Sequence, residues 1–441
     1  MAGVNVEHLA YRLLAGPDDA YLRNMALDTR GYPRRGPQSW LRDRIGFLLM
    51  QVRAPFSRRF RGSGRPAPSV AAYDPGAEVP SVRAYREHFI REYFDEDIAF
   101  LTRASTPAAS SAASRLRGAA WLLAGTGLAL LAFLDVSERR YSWLASSFLD
   151  ARAFARALPT LKKVYVFALY DRHSYMAAAF LHAHTDVTVV PVFQNIPLHR
   201  NCRYFHMSIP VVMTSAVSKQ EAGYYSERGE FRASDLIYHP HEFLLDMERI
   251  GEAGPSVDIG YFSSGEWARR DGLYQVRDPE IVRSGIHRGN PYDRAMSTVL
   301  EALAAYAHQR GRTLMIYPHP FERTLMREHG IEPPYAALED GVHVRIDRSG
   351  ELNSRLRIRE PRVAVSIQSS FIWERIDLGL DESYVFELED PDLNPFLTEA
   401  LGPYRRNVLR SVDELIDRLD EALPDTAGAE SDQSSSDNTS M

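Results

Sequence analysis

Hydrophobic and polar positions alternate along this chain with two different periods. Between residues 162 and 238, short apolar runs at 164–169, 187–192, 210–214 and 236–238 are separated by stretches with helical spacing at 174–184 and 218–225. The alternation resumes at 257–262, 313–316, 342–346, 363–367 and 384–388, with helical stretches at 292–310 and 412–423. Short apolar strands interleaved with helices predict parallel sheets with right-handed crossovers. Upstream of 162 the period is helical. Val6, Leu9, Ala10 and Leu13 mark one helix, Trp40 to Val52 a second, and 82–101 a third through Tyr85, Phe89, Ile90, Tyr93 and Ile98. Composition shifts then suggest four segments: a basic helical extension over 1–105, an α/β domain over 106–250, a second over 251–423, and an acidic, Ser-rich tail over 424–441 that is expected to be disordered.

Two strand ends stand out in the second α/β domain. Leu314, Met315 and Ile316 form an apolar run that Pro318 and Pro320 must stop, because proline cannot continue a ladder. His319 therefore falls just past a strand's carboxyl end and close to a helix start, where backbone N–H groups and the macrodipole favour an anion. The run Val363 to Ile367 ends the same way, in Gln368-Ser369-Ser370, with a helix predicted from Phe371. Ser369 and Ser370 suit an N-cap, and their hydroxyls suit a phosphate. Glu374 lies one turn further on, where a carboxylate would meet ribose hydroxyls. The run 257–262 ends in Ser263-Ser264-Gly265, a small-residue loop that lets a backbone approach a phosphate closely. In the first α/β domain, Asp171 and His173 follow the first strand, and Gln194, Asn195, His199 and Arg200 follow the second. His239-Pro240 is a second His-Pro, expected to lead out of the first sheet.

The His319-Pro320 and Ser369-Ser370 pair resembles the His-Pro and Ser-Ser motifs of bacterial sialyltransferases, polysialyltransferases and the Kdo transferases of capsule synthesis. The resemblance rests on these two dipeptides and the elements around them. It implies a GT-B architecture, two Rossmann-like domains facing a cleft, and a CMP-activated sugar as co-substrate. It also implies that His319 contacts the leaving phosphate while Ser369 and Ser370 hold phosphate or nucleotide. In those enzymes the base is an aspartate of an Asp/Glu-Asp/Glu-Gly motif in the N-terminal domain. Here Glu339-Asp340-Gly341 has those letters but follows the His-Pro, and it reads as a turn before the strand at Val342. By position, Asp171 is the candidate base and His173 the alternative, with a helix N-cap as the structural role open to Asp171.

Composition bounds the remaining possibilities. The chain has 441 residues, 45% hydrophobic and 25% charged, with a net charge of −6, so bulk charge gives no case for nucleic acid. Its single cysteine, Cys202, allows no disulfide within the chain and fits a reducing cytoplasm. Residues 1–14 lack a basic segment followed by an apolar one, so no secretory signal is read there. Nine arginines lie between Arg34 and Arg65, interleaved with the apolar positions of the second helix. Such a helix either packs its apolar side on its own domain or lies on an anionic membrane surface. The run 118–134, broken by Gly125 and Gly127, reads as a buried or membrane-leaning core helix or as a span. Asp95-Glu96-Asp97 is expected to be a solvated helical face rather than a metal site. No zinc spacing and no phosphate-loop Gly-Lys-Ser/Thr run is present.

Together these features predict a metal-independent, peripheral transferase that moves a sugar from a nucleotide donor to a glycan or lipid-linked acceptor. Two other readings of the same fold stay open: a CDP-polyol phosphotransferase or nucleotide-sugar epimerase, and a non-catalytic scaffold at the membrane.

Overall fold

The computed structural model describes residues 6–16, 37–53, 68–74, 80–101, 111–135, 141–157, 160–167, 172–193, 205–240, 255–270, 274–275, 278–285, 289–349, 354–367, 369–387 and 399–424. Two compact units divide the chain, Met1–Asp246 and Met247–Met441. Each is built on a six-stranded sheet paired in parallel throughout. The fold is α/β, with two Rossmann-like units in series behind a helical N-terminal segment.

The first unit begins with α1 (Val6–Ala15) and α2 (Pro37–Arg53), then runs β1 (Val70–Tyr73), α3 (Pro80–Phe94) and β2 (Ala99–Phe100). Next come α4 (Ala112–Leu131), α5 (Ser142–Ala157), β3 (Lys163–Val166), α6 (Arg172–His184), β4 (Thr188–Phe193), β5 (Pro210–Met213), α7 (Ala216–Glu227) and β6 (Asp235–Tyr238). Its strand order is β2-β1-β3-β4-β5-β6. The stretch expected to be wholly helical up to residue 105 therefore supplies two strands to this sheet. Both are short, and β1 is Val-Ala-Ala-Tyr, too alanine-rich to show a strand period. Helix α3 ends at Phe94, so Asp95-Glu96-Asp97 lies beyond it and is not a helical face. Asp95 has φ 51°, Glu96 accepts from Lys163 at 3.0 Å and Tyr165 at 2.6 Å, and Asp97 pairs with Arg91 at 3.3 Å.

Helix α4 carries the long apolar run. Its inner face, Ser114, Gly118, Gly125, Leu128 and Ala129, is buried, while Leu116, Leu123 and Leu130 are exposed. The mid-helix glycine has a packing reason. A Cβ on Gly125 would lie 2.7 Å from Gln51 Oε1 and 3.0 Å from the Phe148 Cβ, so only glycine lets α4 approach α2 and α5 this closely.

The second unit runs β7 (Val257–Phe262), a hairpin of β8 (Arg269–Arg270) and β9 (Tyr274–Gln275), α8 (Pro279–Ser284), α9 (Pro291–Arg310), β10 (Leu314–Tyr317), α10 (Pro320–His329) and β11 (Val344–Ile346). It finishes with β12 (Pro361–Ser366), α11 (Ser370–Asp377), β13 (Ser383–Phe386), β14 (Val408–Leu409) and α12 (Val412–Ala422). Local signals explain the long α9. Asn290 caps it by accepting from Asp293 N–H, Pro291 takes the first helical position, and Gly311 ends it with φ 60°. Its face of Tyr292, Met296, Val299, Leu300, Leu303 and Ala307 packs into the core with Ile259, Leu314, Ile316, Val363 and Val365 of the sheet. The strand order is β11-β10-β7-β12-β13-β14. The chain winds outward from β7 to β11, returns to the other side of β7 at β12, and winds outward again. Its topological switch point is thus the gap between β7 and β12, and ligands of open α/β sheets bind outside the carboxyl ends of the strands at such a gap.

Candidate functional site

Three loops leave the carboxyl ends of β10, β7 and β12, which are neighbours in the second sheet. They are the His319-Pro320 elbow, the Ser263-Ser264-Gly265 loop and the Ser369-Ser370 elbow. With β7 alone between them, the two elbows begin about 10 Å apart, two inter-strand spacings. Phe262 at the end of β7 ties both sides together. Its ring stacks on Tyr317 at 4.6 Å and meets Phe371 at 4.6 Å. Its carbonyl accepts from Ser366 Oγ at 2.6 Å. The three loops that hold the sequence-predicted phosphate residues of this unit therefore follow three adjacent strands.

His319 is the N-cap of α10. Its Nδ1 accepts the Phe321 backbone N–H at 3.2 Å, and its own backbone N–H donates to Glu322 Oε2 at 2.6 Å, forming a reciprocal capping box. A neutral imidazole with Nδ1 accepting carries its proton on Nε2. Pro320 fills the first helical position, where its missing N–H costs nothing. Arg323 locks the corner from behind. Its Nε donates to the Pro318 carbonyl at 3.1 Å, and its terminal nitrogens hold Asp347, at 3.0 Å to the carbonyl and 2.7 Å to the carboxylate. Burial alone would raise the Asp347 carboxyl, but the bonds from Arg323 and Ser349 win and hold it below the usual range.

Ser369 caps α11, accepting the Phe371 N–H at 3.3 Å. Ser370, half-buried at the first helical position, approaches Glu374 Oε1 at 3.5 Å. Glu374 is fully buried, so it backs Ser370 from within the helix instead of standing open to a ribose. Behind α11, Arg375 is also buried, with carbonyls and one hydroxyl as its partners. It donates to Pro361 at 3.0 Å, to Ile358, and to Ser383 Oγ at 2.9 Å. Burial lowers its pKa to about 10.

The Ser263–Gly265 loop departs from the expectation of an open phosphate cradle. Glu266, which is fully buried, already occupies its donors. The Ser264 N–H points at both Glu266 oxygens, at 3.1 and 3.0 Å, and Ser264 Oγ lies 3.0 Å from Glu266 Oε1 and 3.2 Å from the Ile367 carbonyl. Gly265 N–H donates to Ser263 Oγ at 3.1 Å, with Gly265 at φ 76°, a conformation side chains rarely adopt. The loop thus wraps a carboxyl group of its own chain and braces β7 against β12.

A second buried carboxylate joins it. Ser263 Oγ lies 2.9 Å from Glu266 Oε2 and 3.0 Å from Glu322 Oε1, and the Trp267 indole N–H donates to Glu322. A hydroxyl has one proton to give. It can therefore donate to only one of the two carboxyl groups at a time. Burial, with the Glu266 charge nearby, pushes the Glu322 carboxyl up to about 7, against the hydrogen bonds from His319, Ser263 and Trp267. The sequence reading missed this pair. Part of its signal was present: His319-x-x-Glu322 places a glutamate three residues after a capping position.

In the first unit, Asp171, Gln194, Asn195, His199, Arg200 and Cys202 lie outside the described residues, and His173 is placed only by its backbone, in the first turn of α6. His239 is packed, not poised. Its ring stacks on Tyr93 at 4.2 Å and meets Phe94 at 5.5 Å, and burial lowers its pKa. Glu339-Asp340-Gly341 is the turn before β11. Asp340 Oδ1 accepts from Val342, His343 and Val344 at 2.8 to 2.9 Å, and Gly341 has φ 75°. Among the described residues, no group of three or more His, Cys, Asp and Glu is arranged to hold a metal ion.

No protein-family model matches the chain, and no curated protein matches it. Among solved structures, the chain is similar to the UDP-GlcNAc 2-epimerase of Methanocaldococcus jannaschii, solved with UDP-GlcNAc and UDP. The identity is 11% and the TM-score 0.42, over 80% of this chain and 92% of that one.

Proposed function

We propose that this chain is a glycosyltransferase that takes its sugar from a nucleotide donor, CMP-linked, and delivers it to a surface glycan or lipid-linked acceptor. The observation that supports the reading is that the His319 and Ser369 corners follow β10 and β12, the two neighbours of β7, beside the gap where the strand order reverses. In this reading Nε2–H of His319 donates to the leaving phosphate as charge develops there, which is where a positioned donor contributes most. Ser369, Ser370 and Pro320 shape the rest of the phosphate contact. Ser263, Ser264 and Gly265 form the floor, held in shape by Glu266. The acceptor hydroxyl must lose a proton to a base, for which Asp171 and His173 are the candidates.

The test is donor turnover. The full chain is incubated with CMP-, CDP- and UDP-linked sugars, and the freed nucleotide is measured. Release of CMP in preference to UDP, with most of it lost in His319→Asn, supports the reading. Equal release by wild type and variant removes His319 from the chemistry.

A further inference from the structure

The first unit has a surface of a different kind, independent of the switch-point site. Among the described residues, all exposed large hydrophobic side chains except Val342 and Leu356 belong to α1, α2, α4 and the turn that continues α4. On α4 and that turn, Leu116, Leu123, Leu130 and Leu134 are 73%, 71%, 55% and 67% exposed. Their spacing places them on one stripe, with the exposed Ala119, Ala120 and Gly127 between them. On α2, Leu41, Ile45, Leu49 and Val52 form a second exposed stripe. The two helices pack on each other and both pack on α5. Soluble proteins rarely leave that much apolar surface in one place without a partner for it.

Charge selects the partner. Arg42 and Arg53 on α2 and Arg115 and Arg117 on α4 are exposed beside these stripes. The two helices contain one acidic residue, Asp43, whose carboxylate is held by Arg44 at 3.0 Å and the Tyr141 N–H at 2.6 Å. The sequence directly after α2, residues 54–67, adds Arg58, Arg59, Arg61 and Arg65 and no acid. A second copy of this chain would bring like charges together. An anionic bilayer accepts both features, leucines at the acyl boundary and guanidinium groups among the headgroup phosphates.

We propose that the α2–α4 face docks the protein in the plane of an anionic membrane. Residues 112–134 are long and apolar enough to cross a bilayer. They lie along it instead, because the inner face of α4 is fitted to its neighbours. Cβ atoms at Gly118 and Gly125 would stand 2.9 Å from Arg156 and 2.7 Å from Gln51, an approach that a span would abandon.

Flotation of the full chain with phosphatidylcholine vesicles, with and without phosphatidylglycerol, tests this. Binding is expected to need the anionic lipid and to weaken as salt screens the charge. Arg115→Glu with Arg117→Glu is expected to lower partitioning more than ten-fold. Leu123→Asn with Leu130→Asn, substitutions at exposed positions, is expected to lower it comparably with an unchanged melting temperature. Absence of binding to anionic vesicles at low salt overturns the proposal, as does binding that neither pair of substitutions weakens. Resistance to alkaline extraction overturns it in favour of a span. Concentration-dependent dimerisation abolished by the leucine substitutions, without vesicle binding, overturns it in favour of a second copy.

Discussion

The Glu322 carboxyl accepts the backbone N–H of His319 at 2.6 Å, so a buried acid holds the residue on which the proposed chemistry turns. The same carboxyl takes bonds from Ser263 and Trp267. Glu322→Ala strands these donors in a buried site. It is expected to cost about 2–4 kcal/mol, the range for leaving buried polar groups unpaired. Glu322→Gln keeps the shape and is expected to cost less than half as much. Urea unfolding of the two variants checks the order.

Glu322 also sets a pH dependence. Its folded pKa, about 7, lies above the ordinary 4.5. A raised acid is held protonated by the fold, so the folded state binds more protons than the unfolded one between these values. Stability is therefore highest at the acid end of that window and falls as pH rises from about 4.5 to 7, by on the order of 3 kcal/mol from this group alone. Glu322→Gln removes the titrating proton and is expected to flatten that part of the curve. Melting temperatures across the window read the difference.

Asparagine at 319 separates capping from chemistry. Its side-chain oxygen can accept the Phe321 N–H as Nδ1 does, because asparagine is among the best N-cap residues. His319→Asn is expected to change stability by less than about 1 kcal/mol while removing the Nε2 donor. His319→Ala loses both, and costs about 1 kcal/mol more in stability. Comparing the melting temperatures of the two variants isolates the cap.

Gly260 lies where β7 passes β12. A Cβ there would stand 2.6 Å from Pro361 Cγ and 2.7 Å from its Cβ, and neither atom of the ring can swing aside. Gly260→Ala is expected to force the two strands apart at about 1–3 kcal/mol. Because these strands border the switch point, it is also expected to weaken nucleotide binding. Calorimetric unfolding and nucleotide titration of one sample read both effects.

Much of the second unit was legible because its signals are local. Val257–Phe262, Leu314–Tyr317 and Pro361–Ser366 are mostly apolar and each stops within three residues of a proline or a serine, and a strand largely buried has little else to show. What escaped the sequence is what three-dimensional pairing decides. β2 and β14 are too short to carry a period and β1, Val-Ala-Ala-Tyr, is too alanine-rich to show one; they become strands because a neighbour offers a ladder. The reading of Ser263-Ser264-Gly265 as a phosphate loop was sound in residue type but did not weigh Glu266, one residue further on, as the carboxyl group that takes its donors. Glu374 was placed at a ribose by its one-turn spacing, yet helical phase turns it inward. Asp171 falls on residues that the structure does not describe, so its role rests on the strand that precedes it.

The central claim is that the His319 and Ser369–Ser370 corners grip one phosphate together, and thermal-shift titration with CMP tests it most directly. The wild-type melting temperature should rise with CMP concentration, as binding to the folded state alone requires. His319→Asn and Ser370→Ala, both folded, should each lose most of that rise. No stabilisation of the wild type by CMP, CDP or UDP, or a rise that both variants keep in full, would contradict it.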